Sequence, residues 1–419
     1  MIKRLAVSLI ALAVVVGLAI GLALLTPARR PAPAVVELPH SSRVVCTAAG
    51  RVLLGEPEGL TVQRAAGGEA EATNEREFTT TEPFILRAES LLAAGVLVEQ
   101  PQRAYVPCAS AVTSGMVLVP DPATTELTLV NADSNEASVD LTLLGPDGEI
   151  VTLGARGIAL APGETRRVAL SVLAPTGPVG VAYRASAGRV ALMANAVEGR
   201  PTRFVPPTAA AESHLIPGVP GGATSTRLML SNPHESRVDV SVEALGATAS
   251  YEPATATDLS VPAMSSVIVD LGEALAGEPT ALRVTTSEAI GAAVVTAVGA
   301  GSPATLVSAV ESERLALNAP GGGELAVTNA GGLTAEIVVS ANNSEGASLS
   351  ERVTVAPGTT ATLALPEAAS PLAVDVMSDV PVLAAASSAT DAGTVVVQGV
   401  RSTLAELEGI PAHLDPGLR

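Results

Sequence analysis

The chain has no tryptophan and only three phenylalanines and three tyrosines. Ala, Val and Leu supply nearly all of its apolar mass. Cores of that composition are thin and layered, as between two closely packed sheets. The same shortage disfavours sugar or single-stranded nucleic-acid binders, which present aromatic platforms. Lys3 is the only lysine, and the formal net charge is −18. An acidic surface is repelled by phosphate backbones and by anionic lipid, so no nucleic-acid partner is expected. Cysteine is nearly absent too. Cys46 and Cys108 are the whole complement, and an even count in an exported chain points to one structural disulfide. A redox pair would read CxxC, and a metal site would need more Cys or His.

Charge is also missing from Leu5–Leu25, where Ser8 is the one polar side chain. At about 1.5 Å per residue this stretch spans a hydrocarbon core. Lys3 and Arg4 mark a cytoplasmic end, while Arg29 and Arg30 leave charge counting alone undecided. A cleavable signal peptide is the rival, but its apolar region is shorter, about 7 to 15 residues. The expectation is therefore a single-pass membrane anchor with everything downstream extracytoplasmic, or a secreted chain if the anchor is cut. No cysteine directly follows the apolar stretch, which disfavours a lipoprotein. Ala13, Gly17 and Gly21 form a small-residue stripe that would let two such helices pack as a homodimer. Beyond it, PARRPAPAVVELP from Pro27 to Pro39 reads as an extended stalk.

The rest of the chain repeats itself. ELTLVN ends at Asn131, RLMLSN at Asn232 and ELAVTN at Asn329. After each comes an alternating strand: ASVDLTL from Ala137, SRVDVSV from Ser236 and TAEIVVS from Thr334. A proline follows at Pro162, Pro262 and Pro357, and a strand pair closes each unit. The period is two: Val139, Leu141 and Leu143 alternate with Asp140 and Thr142. About seven or eight short strands per 100 residues fit an immunoglobulin-like sandwich better than a propeller blade of about 40 to 50 residues. The fold expected is all-β: tandem immunoglobulin-like β-sandwich repeats after one N-terminal transmembrane helix. Its divisions are a cytoplasmic tail at 1–4, the anchor at 5–26, the stalk at 27–40 and a disulfide-containing β domain at 41–115. Sandwich repeats follow at 116–215, 216–316 and 317–419, the last including a C-terminal tail. LIPGVPGG from Leu215 and LNAPGGG from Leu317 read as short linkers, giving a rigid rod or arc.

Chemistry is sparse. His40, His214, His234 and His413 lack metal-pair spacing, and neither a GxSxG elbow nor a GxxxxGK[ST] loop occurs. No catalytic, metal or cofactor residue is assigned, and no cofactor is expected. Asp140, Asp239 and Glu336 read as a solvated face. Tyr183, replaced by Val284 and Val376 in the other copies, reads as core. Asn131, Asn232 and Asn329 read as turn caps rather than ligands. Asn342-Asn343-Ser344 matches a glycosylation sequon.

Several of these elements together resemble an uncharacterised family of actinobacterial secreted or membrane-anchored proteins. They are the apolar anchor, a cysteine soon after the stalk and another just before the first repeat, the LxLxN, VDLTL, GPDG and LxPG elements of Leu127–Gly163, and IPGVP at Ile216–Pro220. The resemblance implies an envelope location linked to cell-surface glycan assembly, and no catalytic residues. Ser110–Pro120 departs from it, lacking the aromatic-rich stretch found there in the family. The function expected is a non-catalytic, membrane-anchored scaffold or adaptor that docks an envelope protein through loops at sandwich ends. The alternative is a surface adhesin or glycan-binding module with cell-wall glycan as partner.

Overall fold

The computed structural model describes Val16 and residues 42–55, 59–88, 92–174, 176–197 and 203–401. Apart from Val16, the anchor expected at 5–26, with Ala13, Gly17 and Gly21, lies outside the described residues, as does the stalk. Among the described residues no helix is long and apolar enough to cross a membrane. All the described strands lie in the compact unit His40–Leu404.

The unit is all-β, as expected. Alternating sequence becomes alternating burial: in Ala137–Gly145, Ala137, Val139, Leu141 and Leu143 face inward between half-buried Ser138, Asp140 and Thr142. Val238–Leu245 and Ala335–Asn342 follow the same rule. Each strand therefore has one apolar face, which packs against a second sheet.

One pairing scheme occurs four times. In residues 114–205, the first strand Ser114–Val119 pairs with the sixth, Val179–Ala187, which pairs with the third, Ala137–Gly145. The third pairs with a fourth strand split into Gly148–Ile150 and Ile158–Leu160. The opposing sheet joins the fifth strand, Thr165–Ala169, to the second, Thr125–Asn131. It continues to the seventh, Val190–Ala196, and the eighth, Phe204–Val205. Orders 4-3-6-1 and 5-2-7-8 recur in residues 42–107, 211–307 and 312–398. The described residues thus hold four like modules. The disulfide-containing segment is the first of them rather than a separate kind of domain.

The strand order is not that of an immunoglobulin domain, whose sheets run A-B-E-D and C-F-G. Only the B–E and C–F pairs have counterparts here. The cause lies in the closing segment, expected to be a strand pair. Thr280–Ala297 is one strand of 18 residues and Leu372–Thr390 one of 19. The first half of each pairs in one sheet and the second half in the other. In the second module the same path is broken at Gly188, whose φ of 70° ends the sixth strand. A strand that crosses between sheets cannot fold back on itself, so the seventh pairs with the second instead.

The segments expected to be linkers are themselves strands. Leu215–Val219 belongs to Ala211–Val219, and Leu317–Ala319 to Ser312–Ala319. With no free linker, neighbouring modules abut. Val45, Ala65 and Ile85 share a cluster with Val130, Ala132 and Ala191 across the first seam. Met116, Leu118 and Leu144 meet Met229 and Ala293 across the second. At the third, Gly218 lies so close to the fourth module that an added Cβ would sit 2.8 Å from Val396 and 2.9 Å from Ala385. Leu53 and Leu97 of the first module pack into the core of the fourth. Asn318 Nδ2 donates to Ala93 O at 2.8 Å, and Arg103 N to Ala392 O at 3.0 Å. The contacts therefore run in a closed circuit, where short linkers pointed to a rod or arc.

The second and third seams share one hydrogen-bond device. Ser266 Oγ donates to Leu144 O at 2.7 Å and is bonded to Ser231 Oγ at 2.8 Å. Thr360 Oγ1 donates to Leu245 O at 2.7 Å and is bonded to Thr328 Oγ1 at 2.8 Å. Glycine permits the first of these approaches, since a Cβ on Gly180 would run into the Ser231 hydroxyl.

The repeated asparagines are clamps. Each is fully buried at the end of the second strand. Asn232 Nδ2 donates to Ser236 O at 2.8 Å, Pro262 O at 2.9 Å and Val261 O at 3.2 Å, while Oδ1 accepts from His234 N at 2.9 Å. Asn131 makes the corresponding bonds to Asn135, Ala161, Leu160 and Asp133. Truncating such a group leaves several buried backbone groups without partners, at about 1–3 kcal/mol each. Asn232→Ala is expected to lower unfolding free energy by at least about 2 kcal/mol in urea titration. Asn232→Asp should not rescue it, because a carboxylate would face carbonyl oxygens. Equal stability of Asn232→Ala and the parent would refute the clamp.

Candidate functional site

The disulfide joins the residues expected. Cys46 ends the strand Ser42–Cys46 and Cys108 follows Ala104–Pro107, with Cα atoms 4.3 Å apart. Beside it Val45 and Ala109 exchange backbone hydrogen bonds of 2.8 and 3.0 Å, tying the eighth strand's exit to the first strand. Met116 and Thr208 exchange the same pair at 2.8 and 2.7 Å, and Ala309 N donates to Leu215 O at 2.8 Å. In the fourth module, Val400–Arg401 pairs with Leu315–Ala316. All four modules are therefore closed at this point, and the first adds a covalent staple. A closed loop of 62 residues corresponds to about 4 kcal/mol on the chain-entropy account.

The acidic residues read as a solvated face behave as one. Asp140 Oδ1 accepts from Gly157 N at 2.7 Å, Glu336 Oε1 accepts from Thr354 Oγ1 at 3.0 Å, and Asp239 is exposed. They sit in three different modules and do not converge. Among the described residues, no group of three or more His, Cys, Asp or Glu could hold a metal ion. Tyr183 is core, only 3% exposed, and packs over Gly115; burial pushes its phenol up to about 12. In the sequon, Asn342 Oδ1 accepts from Arg76 Nη1 at 3.5 Å. Asn343 Oδ1 accepts from Glu345 N and Ala347 N, at 3.1 and 2.9 Å.

Polar structure concentrates at the seams, for which local sequence pattern carries no signal. Asp133 receives Arg189 in a two-pronged contact, Nη2 at 2.8 Å and Nε at 3.1 Å, and Arg43 Nη1 of the first module at 3.5 Å. The bond from Arg189 holds the Asp133 carboxyl below its ordinary range. Arg43 also donates to Ala132 O, so one guanidinium pins the first module to the second. Between the third and fourth modules lies a narrow crevice lined by Gly218, Pro220, Gly221, Pro279, Glu324 and Thr362, too tight to admit a water molecule.

Two histidines hold the sheet-to-sheet crossing of the third module. His234 Nε2 donates to Ala289 O at 2.7 Å and His214 Nε2 to Ile290 O at 2.8 Å. His214 is fully buried and its Nδ1 has no partner. Burial lowers its pKa, with the carbonyls of Ile290 and Ala211 pushing the other way.

This arrangement defines a class: a multi-module, all-β protein with one disulfide. The chain belongs to the family of unknown function DUF5719, whose profile matches residues 106–366. That span takes in the second and third modules and most of the fourth. No curated protein matches the sequence. Among solved structures it is similar to a chain of the T13 IBDV viral particle, at 9% identity over 85% of this chain and 81% of that one, with a TM-score of 0.13. A tetra-tandem repeat from the extending region of a large adhesion protein matches at 11% identity over 88% and 97%, TM-score 0.10. The VP2 subviral particle of infectious bursal disease virus matches at 12% over 85% and 83%, TM-score 0.12. Scores this low carry no argument about fold or function.

His214 generates a pH prediction. A histidine whose folded pKa is depressed below about 6.5 stabilises fully above that value, and this contribution is lost as pH falls toward the folded pKa. Unfolding free energy should therefore decline between pH 7 and pH 5 with a slope of up to about 1.4 kcal/mol per pH unit from this group. His214→Gln should flatten that decline in paired denaturant titrations. An unchanged slope would contradict the assignment.

Proposed function

We propose that the protein is a non-catalytic, membrane-anchored scaffold of an actinobacterial cell envelope, in which tandem sandwich repeats present loops to a protein partner. The observation that carries this reading is the closed circuit of modules. Four apolar seams fix the module ends relative to one another, so loops on different modules keep a constant spacing, as docking requires. The apolar stretch Leu5–Leu25 and the proline stalk support tethering at the extracytoplasmic face. The family resemblance supports the envelope location and a link to cell-surface glycan assembly.

A second reading, a surface adhesin or glycan-binding module, draws support from the exposed Val151 and Leu153, 88% and 97% accessible on one loop of the second module. Aliphatic side chains so placed suit a contact surface. Aromatic platforms for sugar stacking are scarce, which favours the first reading.

Crosslinking the tagged full-length protein in its native host, followed by mass spectrometry, separates the two. The scaffold reading predicts that one envelope protein is recovered repeatedly and is lost when residues 1–40 are removed. Recovery of cell-wall glycan alone would overturn it in favour of the alternative.

A further inference from the structure

Two arginines at the seam between the second and third modules lack what the other seam arginines have. Arg43 and Arg51 also have a buried Nε without a hydrogen bond, but their terminal nitrogens meet Asp133, Glu77 and Glu99. The Nε atoms of Arg203 and Arg227 are likewise buried without partners. Among the described residues neither guanidinium makes an ion pair with a carboxylate. Burial and the charge of Arg227 both lower the pKa of Arg203, so the two cations lie within electrostatic reach of each other. Asp121 partly offsets them. One of its oxygens is already taken, accepting from Thr124 Oγ1 at 2.6 Å.

Register places a third unsatisfied group beside them. Arg227 is paired with Val295, and Val295 with Thr305. On the adjoining row of the same sheet face, Met229, Ala293 and Val307 pack into the seam with the second module. Thr305 Oγ1 is buried without a partner. Its strand, Ala304–Val307, touches Phe204–Val205, which directly follows Arg203. Three of the six unpartnered buried side-chain atoms of the described chain thus gather at one place. The positions matching Arg227 in the second and fourth modules are Glu126 and Glu324, so the basic character is particular to this seam. Asp270 lies opposite Arg227 on the neighbouring strand, and its Oδ1 accepts from Gly272 N at 2.9 Å. The two buried Nε–H groups and the Thr305 hydroxyl are left without acceptors, which a bound oxyanion supplies.

We propose that Arg203, Arg227 and Thr305 form an oxyanion-binding subsite at the seam between the second and third modules, taking a carboxylate, sulfate or phosphate group. It does not depend on the scaffold reading. Two planar guanidiniums suit the fork geometry of all three groups.

Thermal unfolding of the full-length protein in detergent, at matched ionic strength in chloride, sulfate, phosphate or glucuronate, tests the subsite. Saturating oxyanion should raise the midpoint by about 2–5 °C over chloride. Sulfate and phosphate acting without glucuronate would mark an inorganic-type, tetrahedral ligand; glucuronate acting would mark a carboxylate carried on a larger molecule. The rise should vanish in Arg203→Gln and Arg227→Gln, shrink in Thr305→Val and persist in Arg156→Gln, which alters an exposed ion pair with Glu149. Thr305→Val keeps the shape of the seam and so reads the site even where an arginine variant fails to fold. No rise in the parent, or an equal rise in all variants, overturns the proposal.

Discussion

Thin cores are the constraint on which the rest of this architecture depends. A module built mainly from Ala, Val and Leu, with few aromatic rings inside (the Phe78–Phe84 pair of the first module being the one ring-on-ring contact among the described residues), buries little apolar area per residue between its two sheets. The shortfall is met outside the module. Leu144 and Met229, or Leu53 and Leu97, lie on sheet faces turned away from their own cores, yet they are buried against a neighbour. Both faces of several sheets are thereby covered, as happens inside larger proteins. The seams are then as much a part of the core as the module interiors, and the modules are not independent beads.

Within that frame the polar groups have specific tasks. Asn131, Asn232 and Asn329 satisfy the backbone where the second strand leaves its sheet. The Ser266 and Thr360 hydroxyls satisfy carbonyls that the seams would otherwise strand. At the second seam, Gly180 lets the hydroxyls approach. Charge pairing at Asp133 adds direction to the first seam, while at the second the buried Nε atoms of Arg203 and Arg227 have no hydrogen-bond partner.

Much of the fold was legible because it rests on local pattern. Period-two alternation identified the strands, Cys46 and Cys108 could only pair with each other, and the asparagine landmark marked three modules. What was hidden depends on tertiary context. The first module lacks the asparagine, its second strand ending at Leu54, so its kinship appears only in strand pairing. The sixth and seventh strands read simply as a strand pair because hydrophobic alternation does not record which sheet a segment joins. Sequence alignment set Pro262 against Pro162. The clamps instead match Pro262 to Ala161, and bring Met264, with φ of 49°, to the place of Gly163 and Gly358. The seam groups were invisible for a similar reason: Arg203, Arg227 and Thr305 converge from segments with no local signature.

The closing contact between the first and fourth modules is the central claim, and hydrogen exchange on a Leu97→Ala variant tests it most directly. Leu97 lies in a strand of the first module but packs into the core of the fourth. The substitution is expected to lower amide protection in Leu315–Ala319 and Ala384–Ala386 as well as in Ala94–Val98. Protection lost only in the first module would contradict the circuit and return the chain to a string of independent domains.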